Sequence, residues 1–399
     1  LGSRLSRRAA SIAPSATLAV NTKATQMRAQ GIDVVNFGVG EPDFDTPRNI
    51  KDKGIEAIER GLTKYTPSAG TAEVRKAIAD KLKRENNVAY APNETIACVG
   101  AKQAIFLALQ VLVDPGDEVL IPNPYWVSYP EMVSLSDGVS RYVEVRLEDG
   151  FKLTPCALEG ACNAKTRALV LNYPNNPTGA TYTRSELEAL TEVCVRKGVY
   201  IISDEVYEKL LYDGNEHVSI AALGPEVKAL TITTNGVSKA YAMTGWRLGY
   251  AAGPADLIGA MVRIQGHMNT NTSSITQYAT VEALTGPQDT VGQMVAKFKQ
   301  RRDYMYDRLA AMPGVKVNKP PGAFYMFPDV SGTFGKEIKG RKVAGDMDFV
   351  DVVLSEGHTA VVPGRAFGNP NCVRLSYATS MEEIAKGMDR VEGLLREAR

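Results

Sequence analysis

Four short tracts of this 399-residue sequence place a reactive or charged group directly after a run of strand-like residues. Gly100-Ala101-Lys102 follows the run Thr95-Ile96-Ala97-Cys98-Val99. Asn172-Tyr173-Pro174-Asn175-Asn176-Pro177-Thr178-Gly179 follows Arg167-Ala168-Leu169-Val170-Leu171. Asp204-Glu205-Val206-Tyr207 follows Val199-Tyr200-Ile201-Ile202-Ser203, and Asn235-Gly236-Val237-Ser238-Lys239 follows Leu230-Thr231-Ile232-Thr233-Thr234. In open α/β sheets, ligands bind beyond the carboxyl ends of the strands. The four tracts then offer, on one edge, phosphate-sized backbone donors, an amide, a carboxylate with a phenol, and a lysine. That set suits an anionic, conjugated cofactor held through a lysine imine.

The elements that must carry these tracts follow from periodicity. Val34-Val35-Asn36-Phe37 reads as a strand ending at Gly38-Val39-Gly40-Glu41-Pro42, and Glu118-Val119-Leu120-Ile121 as another. Val74, Ile78 and Leu82 share a face at spacing four, which predicts a helix over Thr71 to Asn86. A helix is expected from about Lys102 to Val113. Thr183-Arg184-Ser185-Glu186 has the spacing of a capping box and opens one to about Lys197. Apolar strands interleaved with amphipathic helices imply a mainly parallel sheet covered on both faces. After about Gly286 the pattern changes to one long charged helix, Val291 to Met312, then short strands and two further helices. The expected organisation is an N-terminal arm over 1–47 that joins a smaller domain, a large cofactor-binding domain over 48–290, and a small α+β domain over 291–399.

Composition narrows the function from the other side. The chain is 44% hydrophobic and 23% charged, which is ordinary for a globular protein. Its 46 basic and 45 acidic residues give a net charge of +1, so no basic excess marks a nucleic-acid surface. No run of about 18 apolar residues is present to span a membrane. His217, His267 and His358 lie far apart and form no His-x-x-x-His pair, so no metal is expected. No Gly-x-Ser-x-Gly elbow marks a hydrolase. Cys98, Cys156, Cys162, Cys194 and Cys372 are odd in number and irregular in spacing, which reads as reduced, mostly core thiols in a reducing compartment. Leu1-Gly2-Ser3 lacks an initiator Met and reads as an expression scar or the edge of a truncation, so the compartment stays open.

The tract Ser238-Lys239-Ala240-Tyr241-Ala242-Met243-Thr244-Gly245-Trp246-Arg247-Leu248-Gly249-Tyr250 resembles the pyridoxal-phosphate lysine region of class I aminotransferases. Asn175-Asn176-Pro177-Thr178-Gly179, Ser203-Asp204-Glu205-Val206-Tyr207 and Val373-Arg374-Leu375-Ser376-Tyr377 match its other signatures, in the right order. The resemblance runs from about Leu5 to the C-terminus and is strongest to bacterial-type aspartate aminotransferases, including those that also use prephenate. It implies a fold-type I pyridoxal 5'-phosphate-dependent transferase, α/β, working as a homodimer with shared active sites on small amino-acid and oxo-acid substrates. A cytoplasmic enzyme is expected, or a plastid stromal one if a transit peptide has been removed from a plant or algal precursor.

Residue by residue, the resemblance makes Lys239 the catalytic lysine, bound to the cofactor as an imine and then acting as general base and acid. Asp204 would face the pyridine nitrogen and keep it protonated, while Tyr207 and Asn176 would donate to the ring oxygen. Gly100-Ala101-Lys102 at a helix N-terminus would supply amides to the phosphate, with Ser238 and the fork of Arg247. Relatives often have a hydroxyl three residues before the lysine, and here that position is Gly236. Trp126 would stack on the ring, and Tyr65 would reach the partner subunit's phosphate. Arg374 would clamp the substrate α-carboxylate, because an inward-facing Arg on a strand needs an anion. Gly40 would close over the substrate from the arm, and Lys102 with Thr17 would read an acidic side chain. Trp246 is expected in the core.

The activity expected on these grounds is transamination from aspartate or glutamate to 2-oxoglutarate or oxaloacetate, with prephenate as a further acceptor. An aromatic or alanine-type aminotransferase, or a carbon–sulfur lyase, would share Lys239 and Asp204. A ligand-sensing regulator with an aminotransferase-like domain would need a DNA-binding domain ahead of residue 1, for which the short arm offers nothing.

Overall fold

Seven strands form the central sheet, in the order Thr95–Cys98, Gly249–Ala252, Thr231–Gly236, Tyr200–Asp204, Thr166–Asn172, Glu118–Asn123, Val139–Glu144. This is a computed structural model that describes residues 4–14 and 16–399. Leu1, Gly2 and Ser3, with the reading placed on them, lie outside the described residues, as does Ser15. Every neighbouring pair is parallel except the two made by Gly249–Ala252, which runs antiparallel to both of its neighbours.

The central strands are apolar on both faces because both faces are covered. Leu169, Leu171 and Ile201 pack with Leu187, Leu190 and Val193 of the helix Arg184–Lys197. Their neighbours in sequence, Ala168, Val170 and Ile202, point the other way. They meet Ile105 and Leu109 of the helix Gly100–Leu112, and Ile258 and Met261 of the helix Ala255–Met268. The expected helix over Thr71 to Asn86 is present as Ala72–Asn86, with the Thr71 hydroxyl accepting from the Val74 amide. The capping box at Thr183 forms on both sides, Thr183 with the Glu186 amide and Glu186 with the Thr183 amide.

Two strands of the sheet escaped the periodicity. Val139–Glu144 lies at the edge with most of its side chains in solvent, so no apolar alternation marks it. Gly249–Ala252 opens on a glycine for a packing reason. A β-carbon at Gly249 would sit 2.2 Å from the amide nitrogen of Ala101, so this strand is hidden in sequence by the loop that must lie on it. The helix expected from Lys102 starts two residues earlier, at Gly100.

The rest of the chain sits beside this sheet. The long helix is Asp289–Ala310, and a three-stranded antiparallel sheet joins Val362–Pro363, Val373–Ser376 and Tyr325–Met326. Val35–Asn36 pairs in parallel with Thr359–Ala360, which ties the start of the chain to its last third. The helix Ala16–Ala29 precedes that strand and carries Thr17, Leu18 and Asn21 to the edge of a large cavity.

Candidate active site

The cavity of about 460 Å³ opens beyond the carboxyl ends of the parallel strands, where the four tracts converge. Ala101, Lys102, Trp126, Asn176, Asp204, Tyr207, Ser238, Lys239, Arg247 and Arg374 all line it, with Thr17 and Gly40 from the N-terminal segment. Two expected residues do not line it. Gly100 lies just behind the wall with φ +78°, and a β-carbon there would come 2.7 Å from Nη2 of Arg247. Its glycine leaves that space to the guanidinium. Tyr65 stands 88% exposed on the protein's surface, away from this chain's own cavity.

Lys239 follows the strand Thr231–Gly236 and points its ammonium at the Gly40 carbonyl, to which it donates. Nζ lies 5.8 Å from the centre of the Tyr207 ring and 5.7 Å from that of Phe324. Burial pulls the amine down to about 8; Glu41 and Asp204 oppose this, and the cations Arg374 and Arg247 add to it. A lysine in that range offers a neutral amine near physiological pH, as a nucleophile or general base requires.

Asp204 ends the neighbouring strand Tyr200–Asp204 and is 3% exposed. Its Oδ2 accepts from the Tyr129 hydroxyl at 2.6 Å and its Oδ1 from the Val206 amide at 3.3 Å. Burial pushes its pKa up to about 6, with Tyr129 and the Val206 amide holding it lower than burial alone would. Asn172 Nδ2 donates to the Asp204 carbonyl, and Asn172 Oδ1 accepts from the Asn176 amide. The ends of the strands Thr166–Asn172 and Tyr200–Asp204 are thereby locked together.

Arg374 lies in the strand Val373–Ser376 and is 2% exposed. Nη1 donates to Asn176 Oδ1 at 3.0 Å, Nη2 to the Gly38 carbonyl at 2.9 Å, and buried Nε has no partner. The guanidinium rests over Tyr325 and Phe367. A buried cation with an open donor and no carboxylate partner is set up to receive an anion. Elsewhere in the lining, the Lys102 ammonium sits 4.9 Å over the Trp126 ring, and burial with nearby Arg247 lowers its pKa.

Tyr129 and Tyr325 are among the lining residues that sequence reasoning did not single out. Tyr129 is one helical turn after Trp126, and that spacing was its only signal. Tyr325 comes from a two-residue strand and pairs its hydroxyl with that of Tyr207 at 2.8 Å; nothing local in sequence distinguishes it from core. Tyr207 itself is buried, with its hydroxyl on Tyr325, and its pKa is driven far up by burial and that neighbour. Trp246 is only partly buried, with its indole N–H on Thr46 and its ring under Gly54.

These residues fit pyridoxal phosphate. The helix N-terminus at Gly100-Ala101, the Ser238 hydroxyl and the Arg247 guanidinium face one end of the cavity, as a dianionic phosphate requires. Asp204 offers a buried carboxylate to a ring cation, and Trp126 an aromatic wall.

The comparisons agree. The model of the family "Aminotransferase class I and II" matches residues 32–391. An aspartate aminotransferase from a Bacillus species is 48% identical over 392 residues, covering 98% of this chain and 99% of that one. An aspartate/prephenate aminotransferase from Cereibacter sphaeroides is 46% identical over 390 residues, covering 97% of this chain and 98% of that one. The crystal structure of the aspartate aminotransferase from Rhizobium meliloti superposes with a TM-score of 0.97 at 42% identity, covering 100% of both chains.

Proposed function

The chain belongs to the aminotransferase class I and II family, and from that premise we propose that it moves the amino group of aspartate or glutamate to 2-oxoglutarate or oxaloacetate. It is a pyridoxal phosphate-dependent aminotransferase of fold type I. The observation that carries the substrate reading is a pair of cations in the cavity lining. Buried Arg374 has an Nε without a hydrogen-bond partner, and Lys102 lines the same cavity, so a dicarboxylate has two cations to meet. Prephenate joins the proposal as an acceptor, supported by the name of the Cereibacter relative.

The residue roles belong to the same proposal. Pyridoxal phosphate supplies, when bound, an aldehyde that takes up the substrate amine and a ring that withdraws electrons from the substrate Cα. Gly100, Ala101, Ser238 and Arg247 hold its phosphate, Trp126 packs on its ring, and Asp204 keeps the ring nitrogen protonated. Tyr207 and Asn176 hold the ring oxygen. Arg374 orients the substrate by its α-carboxylate, and Gly40 covers it. Lys239 Nζ, in its neutral form, then takes the proton from Cα and delivers it onward. Lys102 and Thr17 read the far carboxylate.

A substrate panel tests this. Half-reactions followed by cofactor absorbance with aspartate, glutamate, alanine, phenylalanine and arogenate should be fastest with the two acidic amino acids. Preference for alanine or phenylalanine would overturn the acidic reading. Direct formation of arogenate from prephenate and aspartate decides the further acceptor.

The working form in this proposal is a homodimer, in which Tyr65 reaches the partner's phosphate site. Its exposure supports this, together with exposed Ile55, Ile58 and Met268. Co-expressed Tyr65→Ala and Lys239→Ala chains should regain activity through mixed dimers that carry one intact site. Two inactive chains that never complement would refute a contribution in trans. A cytoplasmic location is part of the reading and rests on five free cysteines; recovery of the tagged chain in an organelle fraction would refute it.

A further inference from the structure

Directly behind Asp204 lies a buried polar cluster that the roles above leave unused. Glu205 is fully buried, and five side chains meet its carboxylate. Oε1 accepts from Ser219 Oγ at 2.8 Å, Ser203 Oγ at 2.9 Å and the Tyr173 hydroxyl at 3.3 Å. Oε2 meets His217 Nε2 at 2.9 Å and Asn86 Nδ2 at 3.5 Å. His217 Nδ1 is buried without a hydrogen-bond partner among the described residues. Glu205 and Glu208 could be taken, with His217, for a metal site. Glu208 is instead occupied by Lys81 and Asn86, and an added cation would have to displace the Lys81 ammonium.

Carboxylates seldom stand at 0% exposure without a cation, and among the described residues the basic group on Glu205 is His217, which pairs with it as an ion only when its ring is protonated. Its other donors are hydroxyls and an amide, with Tyr90 and Tyr250 farther off; the Lys81 charge is taken by Glu208. The site side of Asp204 faces Tyr129, Tyr207 and Lys239. Glu205 thus places a buried carboxylate one residue along the chain from Asp204, held in place by hydroxyls, an amide and the His217 ring.

We propose that Glu205 is a positioning residue for the transamination site. Its donor set fixes the end of the strand Tyr200–Asp204, and its charge adds to the negative potential with which Asp204 meets a cationic cofactor ring. The inference rests on the proposed roles of Asp204 and Lys239. Burial and Glu205 both act to raise the basicity of Asp204, in the direction this role requires.

Glu205→Gln tests it, because it keeps the shape and removes the charge. The holoenzyme is titrated with acid and base while the visible band of bound pyridoxal phosphate is followed, and cofactor affinity and the melting temperature are measured alongside. Negative charge favours the cationic form of the chromophore, so its loss should lower the titration midpoint by roughly half a unit or more. The fall should come with a drop in kcat and little change in KM for aspartate. Ser219→Ala removes one donor and leaves the charge, so its midpoint should not fall even if its melting temperature does. An unchanged or raised midpoint in a folded Glu205→Gln holoenzyme would overturn the proposal. Should that variant yield no holoenzyme, His217→Lys sets an ammonium beside Glu205 and must lower the midpoint in the same way; an unchanged midpoint there overturns it too. A wild-type protein with no pH-dependent band would instead sink the reading of Lys239 and Asp204.

Discussion

The hydroxyl of Tyr129 donates to Oδ2 of Asp204 at 2.6 Å, and both side chains are buried. Tyr129 is reached from the strand Glu118–Asn123 and Asp204 from Tyr200–Asp204, two strands apart in the sheet. The bond spans that gap and aims the carboxylate's remaining capacity at the cavity. It also offsets part of the desolvation that drives Asp204 up to about 6.

Tyr129→Phe removes that donor and leaves the ring. Asp204 should then titrate higher still, and fewer molecules present a carboxylate at neutral pH. Hydrogen bonds to charged groups contribute about 1.5–3 kcal/mol, so pyridoxal phosphate affinity at pH 7 should fall roughly ten- to a hundredfold. The acid limb of binding should move to higher pH. Fluorescence titration of the ligand-free protein across pH checks both; unchanged affinity would mean the bond does not orient Asp204.

Lys239, held down to about 8 by burial, is mostly protonated at pH 7 and mostly neutral at pH 9. Only the neutral amine attacks an aldehyde. Covalent capture of pyridoxal phosphate by the ligand-free protein should therefore speed up about tenfold between those two values and level off above them. Stopped-flow absorbance measures it. A rate still climbing in proportion to hydroxide above pH 9 would place the amine near its ordinary value instead. Lys239→Ala should show no capture and no turnover.

Arg374 has no carboxylate partner in the ligand-free site, only Asn176, the Gly38 carbonyl and two aromatic faces. Arg374→Leu should cost substrate binding about 2–5 kcal/mol, as for a truncated buried charge pair. Cofactor affinity should stay within a few-fold of wild type, because Arg374 meets the proposed cofactor set only at Asn176 Oδ1 and leaves the Asn176 amide donor for the ring oxygen. If cofactor affinity collapses while the KM for aspartate holds, the carboxylate clamp lies elsewhere.

Lys102 discriminates between substrates only if it meets the second carboxylate. Lys102→Ala should raise the KM for aspartate and glutamate by roughly tenfold or more, about 1.4 kcal/mol, and leave phenylalanine nearly unchanged. Equal losses for acidic and aromatic substrates would show that Lys102 serves the cavity wall, through its contact over Trp126, and not specificity.

Lys239, Asp204, Asn176 and the Gly100 turn were legible in sequence because each follows an apolar strand, and parallel strands deliver their carboxyl ends to one edge. The chain's local grammar also marked the cap at Thr183, since a cap is a contact between residues three apart. Tyr129, Tyr325 and the strand Gly249–Ala252 were not legible. Their roles depend on partners 75, 118 and about 150 residues away: Asp204, Tyr207, and the Gly100-Ala101 backbone that allows no side chain beneath it. Glu205 read as the bystander of a motif, and the donors that hold it come from Ser203, Ser219, Tyr173 and His217. Sequence determines what each strand end can offer, because side-chain chemistry and local periodicity are properties of neighbours along the chain. Burial and hydrogen-bond partners fix the charge state and aim of those groups, and both are set only when distant segments pack together.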